Sequence, residues 1–292
     1  MHAFQLFARR LANAVGVFVA SGLIVSIALA LAPDTGQDAP TISLFLKYTR
    51  QFLTLDFAGS PALEVLAQSA KLTFCLVSAA LFLTSLIGVS LGLAAGLAPP
   101  GSAVTWVSRF VEAVTAAPVL IVALIMVLVA TSVFGIMPEF SLVREGAFQE
   151  RIIAFLLPVL ALTFGDGLLA DIIRSSEIRA RQVREREFIR ALRAKGIPTR
   201  MHYVRNLLPT ISALIANKIT LLLSATVVVE YVFNWKGLGY AVLFALQQSK
   251  DYELVLLVTM LMVVVVLATS LIVTLISDLS DPRARVAGRK EA

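Results

Sequence analysis

The sequence predicts an all-α, polytopic transmembrane bundle of about six helices, with short cytoplasmic coupling helices between the fourth and the fifth. Apolar residues make up 58% of the chain and charged residues only 15%, whereas soluble domains are roughly 45–50% apolar. Apolar runs of about 20 residues, the length that crosses a bilayer, recur along the whole chain. Because a soluble core cannot absorb that much apolar surface, the sequence predicts a helical membrane protein.

Each predicted helix is an apolar run bounded by charged residues, proline or glycine. The first run follows Arg9 and Arg10 and is too long for the apolar region of a cleaved secretory signal, so we interpret it as a retained helix. Pro118 and Pro158 lie inside the third and fourth runs and are expected to kink them. The predicted helices are 11–32, 69–97, 106–134, 152–173, 209–231 and 254–277.

Lysine and arginine are distributed unevenly between the two sides of this bundle. One side carries Arg109, the basic segment 174–205 and the basic tail, while the other carries mixed charges. Basic flanks stay in the cytoplasm during insertion, so both termini are predicted to be cytoplasmic. Anionic lipid then accounts for the net charge of +6 without a nucleic acid.

This orientation divides the chain, a single transmembrane domain over 1–292, into predicted spans and loops. The loops are periplasmic at 33–68 and 233–252 and cytoplasmic at 174–208, and the tail 278–292 is cytoplasmic. The outer loop 233–252 contains Trp235 and Tyr240. It could form a short helix over a transport path or against a solute-binding protein, or it could belong to an ordinary aromatic belt.

Residue types that carry catalysis are scarce. Cys75 is the single cysteine, so no intrachain disulfide can form. His2 and His202 have no cysteine or carboxylate at metal-ligand spacing, and no glycine-lysine phosphate loop occurs. We therefore expect no catalytic residue, no metal and no cofactor bound by this chain, which disfavours a membrane-embedded enzyme.

The cytoplasmic loop 174–208 is far longer than a turn between neighbouring helices requires. Residues 185–195 have helical spacing, which Gly196 and Pro198 interrupt before it returns. The apolar face of the first helix could lie on the membrane surface. A glycine followed two residues later by proline favours instead a rigid turn that presents a fixed surface to another protein.

The same loop resembles the EAA signature of binding-protein-dependent ABC transporter permeases. Four residues match the signature: Ala191, Gly196, Leu208 and Pro209. Three residues depart from it: Arg190, Leu192 and Asn206. The string FIRALRAKG at 188–196 is similar to the YVRTARAKG form of the dipeptide, oligopeptide and nickel branch of that family.

Further segments resemble the same branch almost from end to end. They are DFAGS at 56–60, LIGVSLGLAAGL at 86–97, EYVFNWKGLG at 230–239, KDY at 250–252 and DPRAR at 281–285. Four residues depart from the branch: Lys236, Glu253, Ser270 and Thr274. The resemblance implies import of di- or oligopeptides, with nickel chelates and opines as alternatives.

The resemblance also implies partners and a location. The chain would be a permease subunit in a bacterial inner membrane, paired with a second homologous permease and with two ABC ATPases that hold ATP and Mg. A periplasmic or lipid-anchored solute-binding protein would deliver the substrate. The ATPase-coupling residues would be Phe188, Ile189, Arg190, Ala191, Leu192, Arg193, Lys195, Gly196 and Ile197. In this set Phe188, Ile189, Leu192 and Ile197 would be apolar anchors, the basic residues rim contacts, and Gly196 the bend.

Charged residues inside the predicted spans are costly and suggest function. Asp166, Lys218 and Glu230 are candidates for the pathway, while Asp171 is placed to pair with Lys218 or Arg174. Carboxylates along a path would suit a cationic or zwitterionic substrate. They would also suit a proton-coupled secondary transporter, a class that predicts inverted repeats, of which we find no convincing example.

Three glycines lie on one face of the second predicted span. Gly88, Gly92 and Gly96 are spaced by four residues, so the missing side chains permit a close helix–helix approach. The sequence leaves open whether they pack within the chain or against another subunit.

Overall fold

A computed structural model describes residues 2–31, 41–54, 60–196 and 218–280. The regular elements in these ranges are all helical, as the sequence predicts. We label them α1 His2–Ala30, α2 Thr41–Thr54, α3 Pro61–Leu97, α4 Ala103–Val114, α5 Val119–Phe134, α6 Phe140–Glu145, α7 Phe148–Phe164, α8 Leu168–Arg184, α9 Glu187–Ala194, α10 218–232, α11 Leu238–Phe244 and α12 Tyr252–Ser280.

Three of the described helices are long and apolar enough to cross a membrane unbroken. Their apolar segments are Ala12–Ala30, Pro61–Leu97 and Tyr252–Leu271. Two bent pairs, α4 with α5 and α7 with α8, also qualify if each pair is one span. Of the predicted fifth span, 218–232 is helical and 209–217 lies outside the described residues. The predicted class, an all-α helical membrane bundle, is confirmed.

The third and fourth spans were each predicted as one helix, and this prediction is wrong, because each is divided into two helices. Helix α4 meets α5 at an angle of 96°, and α7 meets α8 at 55°. The first break includes Pro118, which lacks an N–H and disfavours helical geometry at Ala117. Helix α7 instead runs through Pro158, and its break comes at Gly165–Gly167.

The segment predicted as the loop 33–68 contains more helix than its sequence suggested. Residues Thr41–Thr54 form α2, and α3 begins at Pro61 rather than at 69. The signal for α2 was the spacing of Phe45, Tyr48 and Phe52, which puts three aromatic rings on one helix face. Proline at the first position of α3 is a favoured helix start. With 37 residues, α3 is about 55 Å long, more than a bilayer core requires.

The described residues divide into two compact units. The first contains those of Met1–Thr73 and Lys236–Ile272, and the second those of Phe74–Trp235 and Val273–Ser280. In the first unit, buried Tyr48 and Phe52 of α2 share an apolar core with α1 and with Leu254–Val258 of α12. The Phe18 and Phe52 ring centroids are 5.0 Å apart. Apolar and aromatic packing thus organises this unit.

Tyr48 belongs to the part of the first unit that precedes the long helix α3. Burial, reinforced by Tyr252 and by the carboxylates of Asp251 and Glu253, raises the pKa of its phenol above the ordinary value. The neutral form therefore prevails throughout the physiological pH range, as a buried tyrosine requires.

Candidate coupling segment and helix joint

The candidate coupling segment contains the predicted coupling residues 188–197 and follows α8 in the chain. One face of α8 is buried along its whole length, from Leu168 through Ile172 and Ser176 to Val183. The helix ends at Arg184, whose guanidinium donates to the carbonyl oxygen of Leu97 at the end of α3. After a short turn the chain continues as α9, Glu187–Ala194. The position of α9 is therefore set by the anchored end of α8.

Helix α9 has an inner and an outer face. Ile189 is fully buried and packs with Val183 of α8 and with Val89 and Leu93 of α3, and Leu192 is partly buried against the same cluster. Ala191, Ala194 and Lys195 are exposed. Ile189 holds α9 to its own chain in this conformation, so it is not free to anchor a partner as the sequence interpretation had it.

The remaining predicted coupling residues are described in part. Gly196 follows α9 with a φ of 70°, the left-handed geometry in which glycine commonly ends a helix. The structure describes a helical backbone for Phe188, Arg190 and Arg193 but does not describe their side chains. Ile197 lies outside the described residues altogether.

The three glycines of α3 pack within the chain, against α8. A Cβ on Gly88 would lie 2.7 Å from Ile172, and one on Gly96 would lie 2.6 Å from the Cβ of Ala180. A Cβ on Gly92 would collide with the carbonyl oxygen of Ile173. The two helices therefore run in parallel at a distance that only glycine permits.

The breaks in the two bent pairs meet and form one joint. The N–H of Asp166 donates to the carbonyl of Ala117 at 2.9 Å, and the N–H of Gly167 donates to the carbonyl of Thr115 at 2.8 Å. The N–H of Val119, which opens α5, donates to Oδ1 of Asp166 at 2.9 Å. Backbone groups freed by a break must find partners inside a membrane protein. Here each break supplies partners for the other.

Asp166, a predicted pathway residue, therefore has a structural task. Its carboxylate accepts the first N–H of α5, as an N-capping side chain does. Its φ is 55° and that of Gly167 is 68°, so two consecutive residues adopt the left-handed conformation at the turn into α8. Asp166 remains exposed at this joint, and its role in a pathway stays a prediction.

The other two predicted pathway residues also have contacts inside the second unit. Lys218 forms an ion pair with Asp171, one of the two pairings that the sequence suggested. Glu230 is fully buried, and its carbonyl oxygen accepts the N–H of Trp235 at 2.7 Å. The Trp235 ring packs against Phe140 and Phe155, so aromatic packing fixes the end of α10.

A cluster of charges that the sequence interpretation missed links α4 to α8. Glu177 is only 2% exposed. Its Oε1 accepts from Arg181 of the same helix at 2.6 Å and from Arg109 of α4 at 3.2 Å. Arg109 also pairs with Glu112 at 2.9 Å. The i, i+4 spacing of Glu177 and Arg181 was visible in the sequence, but the link across 68 residues was not.

The predicted outer loop 233–252 contains a short helix, α11, followed by a π-helical turn, Ala245–Ser249. Lys236, one of the departures from the related branch, lies with its Nζ 3.9 Å from the Tyr240 ring centroid. The first unit holds this segment partly through the N–H of Leu238, which donates to Oγ1 of Thr73 at 2.7 Å.

Within the described ranges, no group of three or more metal-ligating side chains could hold a metal ion.

These features define a class: a multi-pass helical membrane protein that carries a short, exposed helix between two of its spans. Residues 88–286 match the family described as the inner membrane component of binding-protein-dependent transport systems. Because the match covers more than half of the chain, the protein belongs to that family. The resemblance seen in the sequence is confirmed.

Two relatives of this chain are peptide permeases by name. The chain is 31% identical to the dipeptide transport system permease protein DppB of Escherichia coli K12 over 147 residues, which are 49% of this chain and 42% of that protein. It is 25% identical to the oligopeptide transport system permease protein AppB of Bacillus subtilis over 262 residues, which are 85% and 82% of the two chains. The alignment with DppB thus spans less than half of that relative.

Proposed function

We propose that this chain is the membrane-spanning permease subunit of an ATP-driven importer and forms half of its translocation path. Membership of the binding-protein-dependent transport family supports the proposal. The pathway would lie between this chain and a second homologous permease. The chain would be non-catalytic, and ATP hydrolysis would take place on two partner ATPases that hold ATP and Mg.

The observation that carries the proposal is the construction of α9. Its inner face is fastened to α3 and α8 through Ile189, while Ala191 and Ala194 on the outer face are exposed. A short helix held on one side and open on the other presents a fixed surface to a partner. Closure of an ATPase pair against that surface would move α9, and α8 would carry the movement into the membrane.

Di- and oligopeptides are the proposed substrates, delivered by a periplasmic or lipid-anchored solute-binding protein. Similarity to the dipeptide permease DppB and the oligopeptide permease AppB supports this assignment. Nickel chelates and opines are the alternatives within the same kind of complex. The inner membrane would hold the chain with both termini in the cytoplasm, as the distribution of basic residues indicates.

A proton-coupled secondary transporter is the rival from another class. It would rely on exchangeable carboxylates inside the spans, yet Asp171 is held by Lys218 and Asp166 is engaged in capping α5. It also gives no role to the exposed face of α9. The importer accounts for both features.

Co-purification of an ATPase tests the proposal. The tagged chain, solubilised from membranes that contain the whole complex, should bring down a subunit that hydrolyses ATP. The double variant Ala191→Glu with Lys195→Glu changes two exposed residues, one in α9 and one directly after it, and should lose that subunit while still inserting into the membrane. Leu192 is a poorer target, because its partly buried side chain contributes to internal packing.

Arg179→Glu is the matched control, since it reverses an exposed charge on α8 outside the coupling segment. This variant should retain the ATPase. If the intact chain brings down no ATPase, the importer proposal fails and Asp166 becomes the first residue to test for proton coupling. Uptake of labelled trialanine by cells with and without the chain tests the substrate assignment separately.

A further inference from the structure

Glu177 lies on α8 between the coupling segment and the joint, a position from which it can influence how movement passes between them. It lies ten residues after Gly167 of the joint, about 15 Å along α8. Glu187, where α9 begins, comes ten residues later, after the end of α8 at Arg184 and a short turn. On one side its helix carries the candidate coupling segment. On the other side, the N-terminus of α8 lies at the joint, which is hydrogen-bonded to the α4–α5 break. A displacement of α9 relative to the joint is therefore transmitted along α8, the helix that carries this residue.

The Glu177 side chain has two arginine partners with different consequences. Arg181 belongs to α8, so this pair lies within one helix. Arg109 belongs to α4, so its pair with the same Oε1 ties the two helices together. Arg109 is in turn fixed on α4 by Glu112, which also accepts from the Oγ of Ser108. The carboxylate of Glu177 therefore connects α8 to a rigid polar cluster on α4.

One oxygen of Glu177 is left over. Oε2 is buried and has no hydrogen-bond partner among the described residues. A buried carboxylate oxygen without a partner is costly and calls for an explanation. Removal of the helix-to-helix contact would leave the carboxylate still less compensated, which makes separation of α4 from α8 unfavourable.

The joint is the place at which α4 with α8 can turn relative to α5 with α7. The joint consists of hydrogen bonds between the two helix breaks. At the α7–α8 break, Asp166 and Gly167 adopt left-handed backbone geometry. Hinges are commonly a few residues at the ends of elements that absorb changes in φ and ψ. Both halves, α4 with α8 and α5 with α7, would then turn as two bodies about one joint.

We propose that Glu177 is a positioning residue for transport coupling, because its buried carboxylate fastens α4 to α8 and makes α4 follow when the coupling segment is displaced. The inference rests on the proposed importer function. It assigns to the second unit a lever of two helices, driven at α9 and hinged at the joint. Glu177 touches neither substrate nor nucleotide in this scheme.

Spin-label distances in the intact transporter complex test the lever. Cys75, which is exposed, is first replaced by serine. One label pair is placed at Trp106 of α4 and Leu128 of α5, and another at Ile178 of α8 and Ile152 of α7, all exposed positions. With ATP and orthovanadate, which trap the closed ATPase, both distances should change in the otherwise intact chain.

Arg109→Gln should separate the two movements. The Ile178–Ile152 distance should still change on trapping, while the change in the Trp106–Leu128 distance should be largely lost. Glu177→Gln should act in the same way on α4, and combining both substitutions should add little to that effect, because both break the same pair between α4 and α8. Arg109→Lys, which keeps the positive charge, should retain part of the response.

Arg181→Gln is the matched control, since it removes a partner from the same oxygen but leaves the link to α4. If this variant impairs α4 as strongly as Arg109→Gln, the cluster is merely structural and the inference is wrong. It is also wrong if α4 moves normally in Arg109→Gln, or if neither distance changes in the intact chain although the ATPase is bound. Absence of any bound ATPase would instead overturn the proposed function and this inference with it.

Discussion

The two units of the chain stabilise helices by different means. In the first unit, unbroken helices pack through apolar side chains, with aromatic residues of α2 between α1 and α12. In the second unit, two of the spans are broken, and hydrogen bonds, glycine contacts and an ion-pair cluster connect the pieces. Apolar packing has no preferred direction, whereas hydrogen bonds fix particular partners. Substitutions are therefore expected to act through lost apolar burial in the first unit, and through lost partners or close contacts in the second.

The largest expected loss of stability comes from the first unit. Phe52→Ala removes a ring that is 3% exposed, and such a truncation lowers the free energy of unfolding by about 3–5 kcal/mol. Thermal unfolding in detergent micelles measures the change. Leu53→Ala, at the neighbouring exposed position, should change it by no more than about 0.5 kcal/mol. Equal effects at both positions would contradict the packing described for α2.

A smaller loss is expected at the contact between α3 and α8. Gly92→Ala places a Cβ against the Ile173 carbonyl oxygen, and because backbone cannot yield easily the cost should be about 1–3 kcal/mol. Gly16→Ala is the control, since nothing lies within 4 Å of a Cβ there. Better helix propensity should make that variant more stable, by up to about 1 kcal/mol. A neutral Gly92→Ala would show that α3 and α8 are further apart than described.

The smallest of the three effects is expected at the joint. Asp166→Ala removes the acceptor for the Val119 N–H, and loss of an N-cap costs about 0.5–2 kcal/mol. Asp166→Asn keeps an oxygen acceptor and tolerates the left-handed φ, so it should be close to neutral. Equal loss in the two variants would mean that the charge of Asp166, rather than its capping oxygen, is what the joint requires.

Much of the fold could be predicted from the sequence because membrane helices are selected by length and apolarity. The last helix was placed at 254–277 and is observed as Tyr252–Ser280. The spacing of Gly88, Gly92 and Gly96 indicated a close helix contact, although the partner, α8, required the structure. The location of α9 followed from helical spacing and from Gly196. These features depend on local sequence.

The breaks and the charge cluster could not be predicted in the same way, because each depends on residues far apart in the chain. Pro118 indicated a kink, but the angle of 96° depends on acceptors and donors from 165–167. Pro158 indicated a kink of α7, which instead continues beyond it. The inward orientation of Ile189 depends on α3, and the resemblance that implied an anchor for a partner carried no information about that contact.

The joint also constrains how the chain is made. The Val119 N–H finds its acceptor on Asp166, 47 residues later. A ribosome adds about 5–20 residues per second, so roughly 2–9 s pass before that acceptor is synthesised. During this interval the nascent third span has a break whose donors and acceptors have no partners from the fourth. Water, the translocation channel or a chaperone must satisfy them until the fourth span is made.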